Sequence, residues 1–239
     1  MVRDGSLTRK LTRGVLALPF LGIAPSAAAA ILYEQTPEPG GDSWTSHEAA
    51  DLFPGGYYAD TFGFEPGLDR VIEEVVWWGE YETFPLDPGE PSDLFNIRFF
   101  TDNGGTAGDL LEDGVFMDVV AEREAYNGAG PDQFSAALDT PLRLAAGTRF
   151  YLSIVGQQNL LADGVAFNWW DGNSPERPGV GGPVLWTSDL EEGFGSVAEP
   201  EPEHLAFQLD GHVVPEPATV TLMGIGVGAL ALRRWRQRN

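Results

Sequence analysis

Cysteine is absent from the chain. Thiol nucleophiles, cysteine-bound zinc and disulfide exchange are therefore excluded, and 239 residues are enough to bury a core without covalent staples. Lysine is almost as scarce, with Lys10 the only one. Of the 14 basic residues, eight lie at the two ends, which leaves Arg70, Arg98, Arg123, Arg143, Arg149 and Arg177 in the middle. Of the 36 acids only Asp4 and Glu216 lie outside Ile31 to Val213, so this middle carries six positive charges against 34 negative, a net −28. Such a field repels nucleic acid and anionic lipid. It is compatible with calcium sites, with a basic partner, or with a surface that is simply well solvated. Aromatic residues make up 11% of the chain, too many for a disordered polyanion.

Signs of enzymatic chemistry are sparse. His47, His204 and His212 are scattered, without metal-ligand spacing, and read as surface or loop residues; no nucleophile-elbow or phosphate-loop glycine pattern occurs. Paired carboxylates suit glycoside hydrolysis, but among 34 acids some pair always lies close. The expectation is a protein that is not an enzyme and has no required cofactor.

Long apolar runs are confined to the ends. Arg3, Arg9, Lys10 and Arg13 precede the apolar stretch Val15 to Ile23 and the small residues Pro25-Ser26-Ala27-Ala28-Ala29-Ala30. That order of basic, apolar and small residues describes a secretory signal peptide over 1–30. At the other end, Pro215-Glu216-Pro217 is followed by the uncharged run Ala218 to Leu232 and then Arg233, Arg234, Trp235, Arg236 and Arg238. Fifteen residues of helix cover about 22 Å, short of the ~30 Å hydrocarbon core. A ring at Trp235 and snorkelling arginines extend the effective span and place the C-terminus in the cytoplasm.

The tail resembles the PEP-CTERM sorting signal of Gram-negative bacteria. Two other Pro-Glu-Pro triplets, at Pro37 and Pro200, lack a following apolar run. The resemblance implies that exosortase, a membrane-embedded processing enzyme, is a partner. It further implies an inner-membrane-anchored precursor, held through 218–232, that reaches the cell surface or the extracellular polymer. The division that follows is a signal peptide over 1–30, a folded body over 31–213 and a sorting tail with a short transmembrane helix over 214–239.

Inside the body no segment sustains a long helical stripe; Glu48 to Phe53 and Asp109 to Asp113 offer single turns at most. Instead, short apolar or aromatic runs are bounded by Gly, Pro, Asn and Asp. They are Tyr57 to Phe64, Arg70 to Tyr81, Leu94 to Thr101, Val115 to Arg123, Phe134 to Leu138, Arg149 to Val155, Val165 to Trp170, Val184 to Ser188 and Leu205 to Leu209. Leu94 to Thr101 alternates Phe95, Ile97 and Phe99 with Asn96 and Arg98, the period of a half-buried antiparallel strand. In Val115 to Arg123 the same period sets Val115, Met117, Val119 and Ala121 on one face. Pro141 to Thr148 reads as an edge segment and turn. The predicted fold is all-β, a single antiparallel sandwich of jelly-roll type. The blocks Phe95 to Gly105, Leu144 to Ile154 and Trp169-Trp170 also resemble the sandwich found in many exported PEP-CTERM proteins.

Two features of this body could bind. Adjacent residues on a strand face opposite ways, so Trp77-Trp78 and Trp169-Trp170 each send one ring outward, and Trp78 and Trp170 are candidate stacking platforms for a sugar of an exopolysaccharide. The alternative is that both rings pack. Asp102, Asn103 and Asp109 place hard oxygens in one Gly-rich loop, a candidate calcium site or a plain turn, with weaker versions at Asp163-Gly164 and Asp171-Gly172-Asn173.

Overall fold

The structure is a computed structural model that describes residues 29–46, 57–83, 93–125, 130–157, 165–173, 184–187, 204–214, 230 and 233–237. The leader up to residue 28, Glu48 to Phe53, Asp163-Gly164, the triplet Pro215-Glu216-Pro217 and the run from Ala218 to residue 229 lie outside the described residues. Among the described residues no helix is long and apolar enough to cross a membrane.

Thirteen strands are formed by the described residues: β1 (Ala30–Gln35), β2 (Ser43–Thr45), β3 (Tyr57–Gly63), β4 (Arg70–Thr83), β5 (Leu94–Asp102), β6 (Ala107–Val120), β7 (Glu122–Ala125), β8 (Asp132–Leu144), β9 (Arg149–Gly156), β10 (Val165–Gly172), β11 (Leu185–Thr187), β12 (His204–Leu205) and β13 (Phe207–Val213). All the pairings are antiparallel, and they make two sheets with no closed barrel. The all-β, two-sheet expectation holds. In the larger sheet β4 is the hub, with β8 on one side and β13 and then β10 on the other; β1, β2, β12 and β7 fill the flanks. The smaller sheet runs β11-β3-β9-β5-β6.

One aromatic core joins the two layers. Phe62 of β3 meets Phe207 of β13 at 6.0 Å, and Phe95 of β5 meets Trp77 of β4 at 4.9 Å and Phe167 of β10 at 4.9 Å. Most of these pairs are edge-on, the arrangement that opposed ring quadrupoles favour. Period-2 alternation delivers these rings to one face, since Phe95, Ile97 and Phe99 all lie fully buried.

The expectation of one polar, solvated face on β5 needs correction, because Asn96 and Arg98 are buried as well. β5 lies between β9 and β6, and its polar side chains find partners there: Asn96 Oδ1 accepts from the Asp118 amide at 3.1 Å and from Gln157 at 2.7 Å.

Two further differences concern β6. Asp109 to Asp113 does not turn but continues a 14-residue strand. Charged side chains are tolerated there because β6 is the outermost strand of its sheet. The predicted apolar face of Val115, Met117 and Val119 is broken in two. Asp118 has φ 55°, in the left-handed region, and the register against β5 shifts there. This bulge resets the alternation. Phe116 and Val119 therefore pack on the core, while Val115 and Met117 are exposed. Pro141 to Leu144, expected as a separate edge segment, belongs to β8.

β13 carries its own irregularity. The register against β4 shifts between Asp210 and Gly211, and a Cβ at Gly211 would fall inside contact distance of the Val71 carbonyl. Gly211→Ala is expected to destabilise the body by about 1–3 kcal/mol, as overpacking does. Chemical denaturation, with the midpoint lowered and the slope unchanged, is the check.

Candidate functional site

The two tryptophan pairs obey alternation, but only one outer ring meets solvent. Trp77 and Trp169 are fully buried in the main core. Trp78, expected to point outward, is only 4% exposed, packed in a small cluster with Val76, Ala206 and Trp170. Ala206, the residue between β12 and β13, lies beside this part of β4, its carbonyl accepting from the Trp78 amide at 3.3 Å. Neighbouring sequence contains no hint of the packing by Ala206 and Trp170, which are distant in the chain. Trp170 is half-buried, and its indole N–H donates to the Glu38 carbonyl at 3.2 Å. Of the two proposed platforms, Trp170 alone has a solvent-facing surface.

The Asp102 loop is the β5–β6 hairpin turn. Asp102 Oδ1 accepts from the Gly105 amide at 2.9 Å, while Arg149 grips Oδ2 from Nη2 at 2.8 Å and from Nε at 3.2 Å. Gly104 and Gly105 take positive φ, as such a turn requires. Asn103 stays in the turn, whereas Asp109 lies on β6, exposed. A cation at Asp102 would have to compete with the Arg149 fork. Asp171-Gly172 belongs to β10, and Asp171 accepts from the indole of Trp44 at 2.5 Å and the Asp42 amide at 2.8 Å. Among the described residues no group of three or more His, Asp and Glu side chains is arranged to hold a metal.

The most organised polar cluster is one that the sequence reading missed. Asp60 of β3 is fully buried and receives four hydrogen bonds. Oδ1 accepts from the Thr61 amide at 2.6 Å and pairs with His204 Nδ1 at 3.2 Å; Oδ2 accepts from the Leu205 amide at 2.8 Å and from Gln35 Nε2 at 3.1 Å. His204 is 8% exposed, so the expectation that it sits on the surface is corrected. Burial pushes the Asp60 carboxyl up, and the hydrogen bond to Asp60 holds the His204 imidazole above its usual value. Because β3 is in one sheet while β1 and β12 are in the other, this carboxylate ties the two layers together. The available signal was a lone acid in the aromatic run Tyr57-Tyr58-Ala59-Asp60-Thr61-Phe62. With Asp60 fully buried, the pair braces the two layers against each other.

The tail leaves the body without a spacer. Val213 pairs with Arg70, and the Val214 amide donates to the Asp69 carbonyl at 2.9 Å. Asp69 is itself fixed: its carboxylate takes Arg143 Nη2 at 2.7 Å and the Ala146 amide at 3.2 Å, and the Arg143 guanidinium holds the carboxyl below its ordinary value. The residue after Val214 is Pro215, the first of the triplet. Helix is present at residue 230 and over residues 233–237, which hold three of the terminal arginines.

Residues 213–237 match the family model of the PEP-CTERM protein-sorting motif, so the resemblance read from Pro215-Glu216-Pro217, the apolar run and the arginines is borne out. The match begins where β13 ends. No curated protein matches the chain.

Proposed function

We propose that this chain is an exosortase substrate whose cargo is a non-enzymatic, acidic β-sandwich with a structural or adhesive role at the cell envelope or in the extracellular matrix. The observation that carries the reading is the sorting motif at 213–237, which implies export, membrane anchorage and then the surface. The surplus of acids over six arginines supports an extracytoplasmic body that does not stick to anionic lipid. The apolar run 218–232 holds the precursor in the inner membrane, and the leader over 1–30 is removed.

Deletion of Ala218 to Asn239, expressed in a host that has the processing enzyme, is expected to abolish tail processing and move the product from the envelope fraction to the soluble periplasm. Immunoblotting of cell fractions reads both. An unchanged destination would sink the proposal.

A second reading, glycan binding, is favoured by one observation, the partly exposed Trp170 on β10. It requires that ordered binding on a glycan array disappear in Trp170→Ala while the fold is kept.

A further inference from the structure

The open side of the body is bounded by two strand edges. β6 pairs with β5 and, among the described residues, has no partner on its other edge. β7 covers β8 only from Asp132 to Ser135; beyond it β8 pairs with β4 at Ala136 and Ala137 and again at Leu142 to Leu144, with a register shift between. The chain passes from one sheet to the other at Ala121, whose amide donates to the Asp93 carbonyl at 2.9 Å. From that corner the two edges diverge around a groove of about 580 Å³ lined by β6 and by Ala137, Asp139 and Thr140 of β8.

The chemistry of this groove is unusual for the molecule. Among the described residues of the body, the exposed large apolar side chains are Ile31 and four from β6: Leu110, Val115, Met117 and Val120, the last 73% exposed. Of these, Val115, Met117 and Val120 line the groove together with Glu112, Asp113, Asp118 and Asp139, and no cationic side chain is among the described lining residues. Arg98 reaches the Met117 sulfur at 3.7 Å but is itself buried on β5.

We propose that the β6 edge is a docking site for an extended segment of a partner polypeptide that alternates lysine or arginine with apolar side chains. Edge backbone groups supply ladder hydrogen bonds to an added strand, the exposed apolar side chains take its alternate residues, and the four carboxylates select cations. The same carboxylates exclude a second copy, since two acidic edges placed together repel.

The test uses the exported protein with two short peptides of equal charge, one alternating lysine with valine and one alternating lysine with proline, which cannot form a ladder. Amide exchange by mass spectrometry and fluorescence anisotropy are the readouts. The lysine–valine peptide is expected to slow exchange across Ala107 to Val120 and to bind about tenfold more tightly than its proline counterpart, with affinity falling as salt rises. Asp113→Lys with Asp139→Lys should remove that preference, and Asp113→Asn with Asp139→Asn should weaken it. All four changes are at exposed positions, and circular dichroism verifies the fold. Equal binding of both peptides without protection of β6, equal binding by a serine–valine peptide, or self-association through this edge in sedimentation would each overturn the proposal.

Discussion

Asp60→Ala is expected to lower the stability of the body by about 3–5 kcal/mol, because it breaks a buried carboxyl–imidazole pair and strands its donors. The Leu205 and Thr61 amides, the Gln35 amide group and the His204 ring all lose their acceptor. Leucine at the same site is not a remedy, since it fills space but accepts nothing. Denaturant unfolding measures the loss, and a change below about 1 kcal/mol would show that the network contributes little beyond its solvation penalty.

The same pair sets a pH dependence with a definite sign. The folded state raises both groups, so it holds their protons more tightly than the unfolded chain does. The His204 contribution is complete below 6.5, the ordinary imidazole value, and is lost as pH rises through the folded value. The Asp60 contribution has the same sign at lower pH, complete below 3.8 and lost through its own folded value. Above 6.5 few other groups titrate in a chain with three histidines and no cysteine, so stability is expected to decline with pH in that window. His204→Gln should flatten the decline; a slope unchanged in that variant would contradict the assignment.

Phe167→Ala should cost a comparable amount, about 3–5 kcal/mol. Phe167 is fully buried and contacts rings in both layers: Phe95 at 4.9 Å from the smaller sheet, and Phe134 at 5.5 Å and Tyr81 at 5.9 Å from the larger. Its ring also lies against Gly79 of β4, where even a methyl group would collide. Truncation therefore opens a void that the backbone cannot close from the β4 side. Phe167→Leu keeps most of the volume and should lose less than half as much. Denaturant midpoints together with the near-ultraviolet aromatic signal provide the check, and near-neutral behaviour of Phe167→Ala would mean that the core repacks far more freely than its edge-on rings suggest.

Strand positions were legible where a period-2 pattern met clear turn residues, as in Leu94 to Thr101 before Asp102-Asn103-Gly104-Gly105. The sorting motif was legible because its three parts adjoin one another in the chain. Less local facts escaped. The bulge at Asp118 reverses which residues face inward, and an aspartate in left-handed backbone carries no mark that period-2 reading can detect. The packing around Trp78 and the partnership of Asp60 with His204, 144 positions apart, depend on which strands become neighbours. Asp109 to Asp113 read as a single turn at most, whereas an outermost strand accommodates its charges.

The junction at Val214 limits how far the body can lie from the apolar run. From Val214, fastened to Asp69, four peptide steps lead to Ala218, a reach of roughly 14 Å at full extension. Wherever Ala218 to Leu232 is embedded in a bilayer, so short a leash keeps the body nearly flush with the lipid. With that run embedded, the end of β4 bearing Asp69 and Ala146 would lie nearer the lipid than the end bearing Thr83 and Val165. A processing enzyme acting at Pro215 would then have to work close to the end of β13 or first peel that end from its neighbour.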